Sequence, residues 1–233
     1  VVKSIIKGLL GLLAIRLIDP IEVYFDGPTN TFYPIVSKSG CSSIKVRLIR
    51  IYKPDFESRF PEIHRIDPSP ITEGNLMRLS FSCFPAFRNF AQGKKMVLVI
   101  REPYERFFSC YIDVNKGKNT MYQYPSGLNT IVKVEPNMEL PTFLKFVSRT
   151  PDYLSDRHFR SQSYFLKGGV ENLCQSVKIL DLGSYLAEIR GDSVAPKLNV
   201  NSERMNEYQL SLLKGSDRFK NRYRADIELY RRL

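Results

Sequence analysis

The run KMVLVI (95 to 100) is apolar at every position after its lysine. A strand with one solvated face alternates apolar and polar residues, so a strand apolar on both faces belongs inside a sheet covered on two sides. It passes straight into REPYERFFSCYIDV (101 to 114), where Pro103 suits a first helical turn and Phe107, Phe108 and Tyr111 supply core-facing apolar residues. FYPIV (32 to 36) and SVKILDL (176 to 182) are two further core strands. Helices are expected at 42 to 53, 74 to 91, 103 to 115, 139 to 149, 181 to 190 and 203 to 230, the last broken near Gly215. Short β-rich runs alternating with helices predict an α/β chain, a three-layer sandwich around a short parallel β-sheet.

With 233 residues the chain can bury most of its apolar surface in one core, and it holds no internal repeat or low-complexity linker. A single domain over 1 to 233 is expected, with an amphipathic helix and lead-in over 1 to 31 and the core over 32 to 233. The apolar run IIKGLLGLLAIRLI (5 to 18) is too short for a membrane span and is interrupted by Lys7 and Arg16. It reads as a helix packed on the domain, with peripheral membrane contact as the alternative. Residues 116 to 137 hold Gly, Asn and Pro without periodicity, as a lid or substrate wall would. Against 24 Asp+Glu the chain has 35 Lys+Arg, a net charge of +11 that calls for an anionic partner. Cys41, Cys83, Cys110 and Cys174 form no CxxC pair, and His64 and His158 are the two histidines, which argues against a zinc site. The cysteine spacing suggests no disulfide framework and favours a reducing compartment such as the cytoplasm.

Two strand-to-helix turns carry candidate chemistry. In SKSGCSSIKVRLIR (37 to 50), Gly40 permits a tight turn, Ser42 and Ser43 offer hydroxyls, the first helical amides are unpaired, and Lys38 adds a charge. An anion fits these pieces, and so does a plain structural connection. The Walker A spacing is absent, because the lysine precedes the glycine. In the second turn, Arg101 and Ser109 could share one phosphate; the structural alternative is that Arg101 pairs with Glu102 or Glu105 and Ser109 packs.

Together the turns resemble sulfotransferases that use 3′-phosphoadenosine 5′-phosphosulfate (PAPS), above all the carbohydrate enzymes of the chondroitin 4-O and HNK-1 group (sulfotransferase family 2). Lys38, Gly40, Cys41, Ser42 and Lys45 match that group's Pro-Lys-x-Gly-Cys-Thr-Asn-Trp-Lys pattern. Arg101, Glu102, Pro103, Arg106, Ser109 and Tyr111 match its Arg-Glu/Asp-Pro-Phe-x-Arg-Leu-x-Ser-Ala-Tyr pattern. DRHFRSQSYF (156 to 165) is similar to its His-Trp-x-Pro-Gln segment, KILDLGSYLAEI (178 to 189) to a strand and helix, and YRADIELYRRL (223 to 233) to its ending. Ser37 and Ile44 depart from the pattern, and the cysteines that follow the His-Trp segment in Golgi members are missing. A cytoplasmic member is therefore expected, with a truncated Golgi-lumenal one as the alternative.

The resemblance implies a P-loop-like sulfotransferase fold, PAPS as donor, 3′,5′-adenosine bisphosphate (PAP) as product, no metal, and a hydroxyl-bearing acceptor, a carbohydrate or alternatively a small metabolite. Lys38, Ser39, Gly40, Cys41, Ser42 and Ser43 would hold the 5′-phosphosulfate, Arg101 and Ser109 the 3′-phosphate, and Lys197 would close over the donor. Lys38 would also act on the leaving phosphate. His64, between the two motifs, is the first candidate for the base that takes the acceptor's proton, with Glu73 and His158 as rivals. The competing readings are a nucleotide or sugar kinase, and a basic module binding nucleic acid or membrane through IKVRLIRIYK (44 to 53) and FKNRYRADIELYRRL (219 to 233). In the leading reading, no nucleic acid beyond the donor nucleotide is bound.

Overall fold

A computed structural model describes residues 19–58, 62–115, 138–188 and 204–233. The N-terminal helix expected at 5 to 18, the excursion at 116 to 137 and Lys197 lie outside the described residues. Five strands form one sheet: β1 (Ile21–Asp26), β2 (Thr31–Pro34), β3 (Leu76–Phe81), β4 (Lys95–Ile100) and β5 (Ser176–Asp181), in the order β3-β1-β2-β4-β5. β2, β4 and β5 pair in parallel, while β1 runs antiparallel to both β2 and β3.

The expected α/β architecture is present, with two strands more than the sequence reading supplied. The run IEVYFD, expected within the lead-in, forms β1 inside the sheet, so the core begins ahead of residue 32. The single helix expected at 74 to 91 is instead β3 followed by helix α2 (Phe84–Ala91). Pro85 explains the division, because proline fits a first helical turn and breaks a helix interior.

Period-two alternation sends the strand side chains to two faces. Val23, Phe32, Met96, Leu98 and Ile100 pack on one face with Phe87 of α2, Phe165 and Leu229. Tyr24, Tyr33 and Val99 pack on the other with Ile44, Leu48 and Ile49 of helix α1 (Cys41–Tyr52) and with Tyr185 of the helix that follows β5. A separate core joins α3 (Pro103–Asn115), α4 (Leu140–Ser148), α7 (Glu207–Gly215) and α8 (Asp217–Tyr230) through Phe107, Phe143, Leu213 and Phe219, with Phe159 added from a turn. Between them in sequence lie α5 (Val170–Leu173) and α6 (Leu182–Glu188), which flank β5. Among the described residues no helix is long and apolar enough to cross a membrane.

This layout places the chemistry. β2, β4 and β5 are neighbours with a common direction, so the turn before α1, the Arg101 turn and the start of α6 meet at one edge, where parallel sheets bind ligands. The fold also buries most of 44 to 49, including Lys45 and Arg47, so that stretch is no free basic surface.

Candidate active site

The turn after β2 is built to leave a helix end open. Lys38 and Gly40 both have positive φ, 65° and 80°. α1 then starts with no side chain capping its amides, and its first backbone bond within the turn runs from Ile44 N–H to the Gly40 carbonyl. The first-turn amides, those of Cys41, Ser42 and Ser43, have no helical partner by geometry and point out of the helix start, as an anion site requires. Gly40 is demanded twice, since a Cβ there would lie 2.5 Å from a Leu182 methyl at the start of α6.

Gln162 fastens this turn to the next one. Its Oε1 accepts from the Ser39 hydroxyl at 2.9 Å and from the Arg101 amide at 2.9 Å, and its Nε2 donates to the Arg101 carbonyl at 2.8 Å. Asp226 of α8 fixes this segment by accepting from the Gln162 and Ser163 amides, each at 2.8 Å. Arg106, buried on α3, donates to the carbonyls of Ser37, His158 and Arg160, tying α3 to the first turn and to the His158 segment. Glu105, Ser109 and Asp113 follow one another at helical spacing along α3. Arg101 pairs with Glu105 at 3.3 Å and Lys38 pairs with Asp113, which places Ser109 between the two cations. Burial pulls the Lys38 ammonium below its ordinary pKa, so this cation is poised to gain from an incoming anion.

A model of the sulfotransferase family matches residues 22–189, from the start of the sheet to the helix after β5. The chain belongs to the sulfotransferase family. No curated protein and no solved structure matches it. The family makes the chain a PAPS-dependent sulfotransferase, whose substrates are the sulfuryl donor and an acceptor. The open α1 end and the cations on either side of Ser109 suit a donor with a phosphosulfate at one end and a phosphate at the other.

The sulfotransferase brings both histidines to this edge. His64 Nε2 lies 3.0 Å from the Ser42 hydroxyl and Nδ1 lies 3.4 Å from Lys45 Nζ. An ammonium can only donate, so the tautomer that suits this contact has its proton on Nε2, directed at Ser42 Oγ. Burial first and the Lys45 charge second push the His64 pKa down to about 4, leaving a neutral ring at neutral pH. Lys45 also donates to Glu22 at 2.6 Å, and Glu22 pairs with Arg78 and Arg157. Burial opposes ionisation of Glu22, but Lys45, Arg78 and Arg157 outweigh it and hold the carboxyl below its ordinary pKa.

His158 is arranged differently. Its Nδ1 lies 2.6 Å from Asp156, which is buried, and its side chain remains partly exposed. The carboxylate holds the proton on Nδ1 and leaves the Nε2 lone pair for another partner. Glu73, the third candidate, lies exposed at φ 52° in the turn before β3 and makes no ion pair among the described residues. Gln162, Glu22 and Asp156 lie outside the set of site residues expected from the sequence. The signal for two of them was present in DRHFRSQ, where Asp156 sits two residues before a histidine and Gln162 four after it.

Proposed function

We propose that the sulfotransferase transfers the sulfuryl group of PAPS to a carbohydrate hydroxyl. The observation that carries the donor assignment is the Gln162 clamp, which joins the open α1 turn to Arg101 with Ser109 between the two cations. Lys38, Ser39, Gly40, Cys41, Ser42 and Ser43 hold the 5′-phosphosulfate, and Arg101 and Ser109 hold the 3′-phosphate. Lys197 is proposed to close over the bound nucleotide.

In the transfer, the acceptor oxygen bonds to sulfur as the bond from sulfur to the 5′-phosphate oxygen breaks. The leaving phosphate takes up negative charge, which Lys38 and the α1 amides stabilise. The acceptor's proton goes to His158 Nε2, with Asp156 facing the imidazolium that forms. His64 keeps the Ser42 hydroxyl oriented, accepting from His64 and donating toward the donor. A second reading gives the proton to His64, supported by its 3.0 Å contact with Ser42. Burial and the low pKa of His64 favour the first reading, since a base that resists protonation removes protons poorly. The four free cysteines suit a reducing compartment.

Calorimetry with PAP, AMP and ATP tests the donor assignment, with Arg101→Ala as control. Micromolar binding that requires both the 3′-phosphate and Arg101 is expected. Equal binding of AMP and PAP overturns it.

A further inference from the structure

Arg106 and Arg160 are buried cations to which the transfer reaction gives no role. They are 3% and 4% exposed, and neither forms an ion pair among the described residues. Arg106 donates through Nε to the Ser37 carbonyl and through Nη2 to the carbonyls of Arg157, His158 and Arg160. Arg160 donates through Nε to the Asp152 carbonyl and through Nη2 to those of Asp19 and Ser155. A guanidinium carries five N–H donors, so the Nη1 amine of each arginine is left without an acceptor among the described residues. Buried donors of this kind are normally satisfied, and charged ones most of all.

The two guanidiniums meet at one cavity of about 10 Å³, room for a single occupant close to water in size. Arg157 and Glu22 complete its polar lining, and Ile21, Val36 and Phe165 are among its apolar walls. Lys38, Ser42, Arg101 and both histidines lie outside the lining, so the cavity is separate from the donor site. The carboxylates near it are already committed. Glu22 pairs with Lys45, Arg78 and Arg157, Asp19 pairs with Arg157, and Asp226 accepts from the Gln162 and Ser163 amides. Three guanidiniums therefore face the cavity against one shared carboxylate. Burial outweighs the nearby Asp19 and lowers the Arg160 pKa, as expected of a cation short of counter-charge. A water molecule would satisfy the Nη1 donors and leave the charge standing, whereas an anion does both.

We propose that this cavity is a chloride site, in which the ion accepts from the Nη1 amines of Arg106 and Arg160 and serves as a structural ligand of the fold. Chloride carries one charge, accepts several hydrogen bonds and is only slightly larger than water. Sulfate and phosphate are too large for the space, so the site does not compete for the donor or its product. Its position gives the ion a purpose. Arg106 reaches the Ser37 carbonyl at the turn before α1 and the His158 carbonyl, while Arg160 reaches the Asp19 carbonyl ahead of β1. One ion between the two guanidiniums thus joins the start of the sheet, the open turn and the His158 segment at a point where side chains alone leave excess positive charge.

The test follows thermal unfolding of the full chain as sodium chloride replaces sodium gluconate at constant ionic strength. Chloride is expected to raise Tm by about 3 °C and to saturate, as a ligand of the folded state does. Val36→Ile adds one methylene at the cavity wall and keeps every charge, and it should fold while losing the chloride response. Equal Tm in the two salts overturns the proposal and makes the occupant water. A chloride response that survives in Val36→Ile also overturns it, by placing the ion elsewhere, as at the open α1 turn. Bromide soaked into crystals of the wild-type protein gives a reading that no variant can confuse: an anomalous peak between Arg106 Nη1 and Arg160 Nη1 is expected, and its absence overturns the assignment. None of these readouts uses PAP, so failure of the donor reading would be seen separately, as protein that does not distinguish PAP from AMP.

Discussion

Gln162 satisfies both backbone polar groups of Arg101 with one side-chain amide, and the same Oε1 also takes the Ser39 hydroxyl. One residue therefore sets the distance between the ends of β2 and β4. Gln162→Ala orphans a buried hydroxyl and the two polar groups of Arg101, each at a cost of about 1–3 kcal/mol where water cannot replace the partner. Loss of several kcal/mol in denaturant unfolding is expected, together with at least tenfold weaker PAP binding. Gln162→Glu should bind PAP poorly as well, because it cannot donate to the Arg101 carbonyl. Unchanged PAP affinity in both variants would remove Gln162 from this role.

Gly40 and Leu182 give a second, independent test of the open turn. Alanine at 40 combines a left-handed backbone, worth about 1–2 kcal/mol against a side chain, with overlap against Leu182 worth about 1–3 kcal/mol. Gly40→Ala should therefore unfold more easily and bind PAP weakly. Adding Leu182→Ala removes the overlap and leaves the backbone cost, so the double variant should recover part of the lost PAP affinity. A double variant no better than the single one would show that Leu182 is not what holds the turn.

Much of this was legible in the sequence, and the failures have physical reasons. KMVLVI and FYPIV read as strands because burial on both faces leaves an unmistakable apolar run. SVKILDL also reads as a strand from its apolar residues, but the expected core strand is β5 at the sheet edge, with exposed Ser176 and Lys178 and no fully buried residue. β3, LMRLSF, lies at the sheet edge with alternating exposure, and its residues merged with FPAFRNFA into one apparent helical pattern. Pro85 was the signal that separated them. β1, IEVYFD, escaped because Glu22 and Asp26 make it look polar, although both are buried and Glu22 has three cationic partners. The two strand-to-helix turns that carry Lys38, Gly40 and Ser42, and Arg101, were readable as turns, since local turn chemistry is written in adjacent residues. The clamp by Gln162 and the fixing of its segment by Asp226 join positions more than sixty residues apart, and no single-chain spacing rule exposes them.

Asp156 and His158 should separate chemistry from donor binding. His158→Ala is expected to lower kcat by about a hundredfold or more, and Asp156→Asn by at least about tenfold, with PAP affinity near wild type in both. Asparagine can still accept a hydrogen bond but brings no charge to face the imidazolium. His64→Ala, by contrast, should raise the KM for PAPS through the disordered Ser42 hydroxyl and leave kcat within about tenfold. If His64→Ala abolished kcat while His158→Ala retained it, the proton would go to His64.

His64 also makes stability depend on pH in a window of its own. Its folded pKa of about 4 lies below the ordinary 6.5, so below about pH 6.5 the unfolded chain binds a proton that the folded chain refuses. Stability is complete above that pH and falls as pH drops toward 4, by about 3 kcal/mol at most. Asp152, Asp156 and Glu22 all have lowered carboxyl pKa values, so their contribution is lost at lower pH still. Urea unfolding at pH 7 and pH 5 should thus show a loss in wild type that His64→Gln abolishes. Equal losses in the two proteins would assign the acid sensitivity elsewhere.

Glu105 and Ser109 should move 3′-phosphate recognition in opposite directions. Arg101 is held by Glu105 at 3.3 Å, with both side chains substantially exposed, so the contact is weak and competes directly with an incoming phosphate. Glu105→Gln removes the competitor and the like-charge repulsion, and PAP should bind about threefold more tightly while AMP is unaffected. Ser109 is nearly buried between the two cations and offers a hydroxyl donor, so Ser109→Ala should weaken PAP by about fivefold, again with AMP unaffected. The ratio of PAP to AMP affinity, measured by calorimetry at one salt concentration, checks both. If Glu105 instead positions Arg101 for the phosphate, Glu105→Gln will lower that ratio, and the pair is a support and not a competitor.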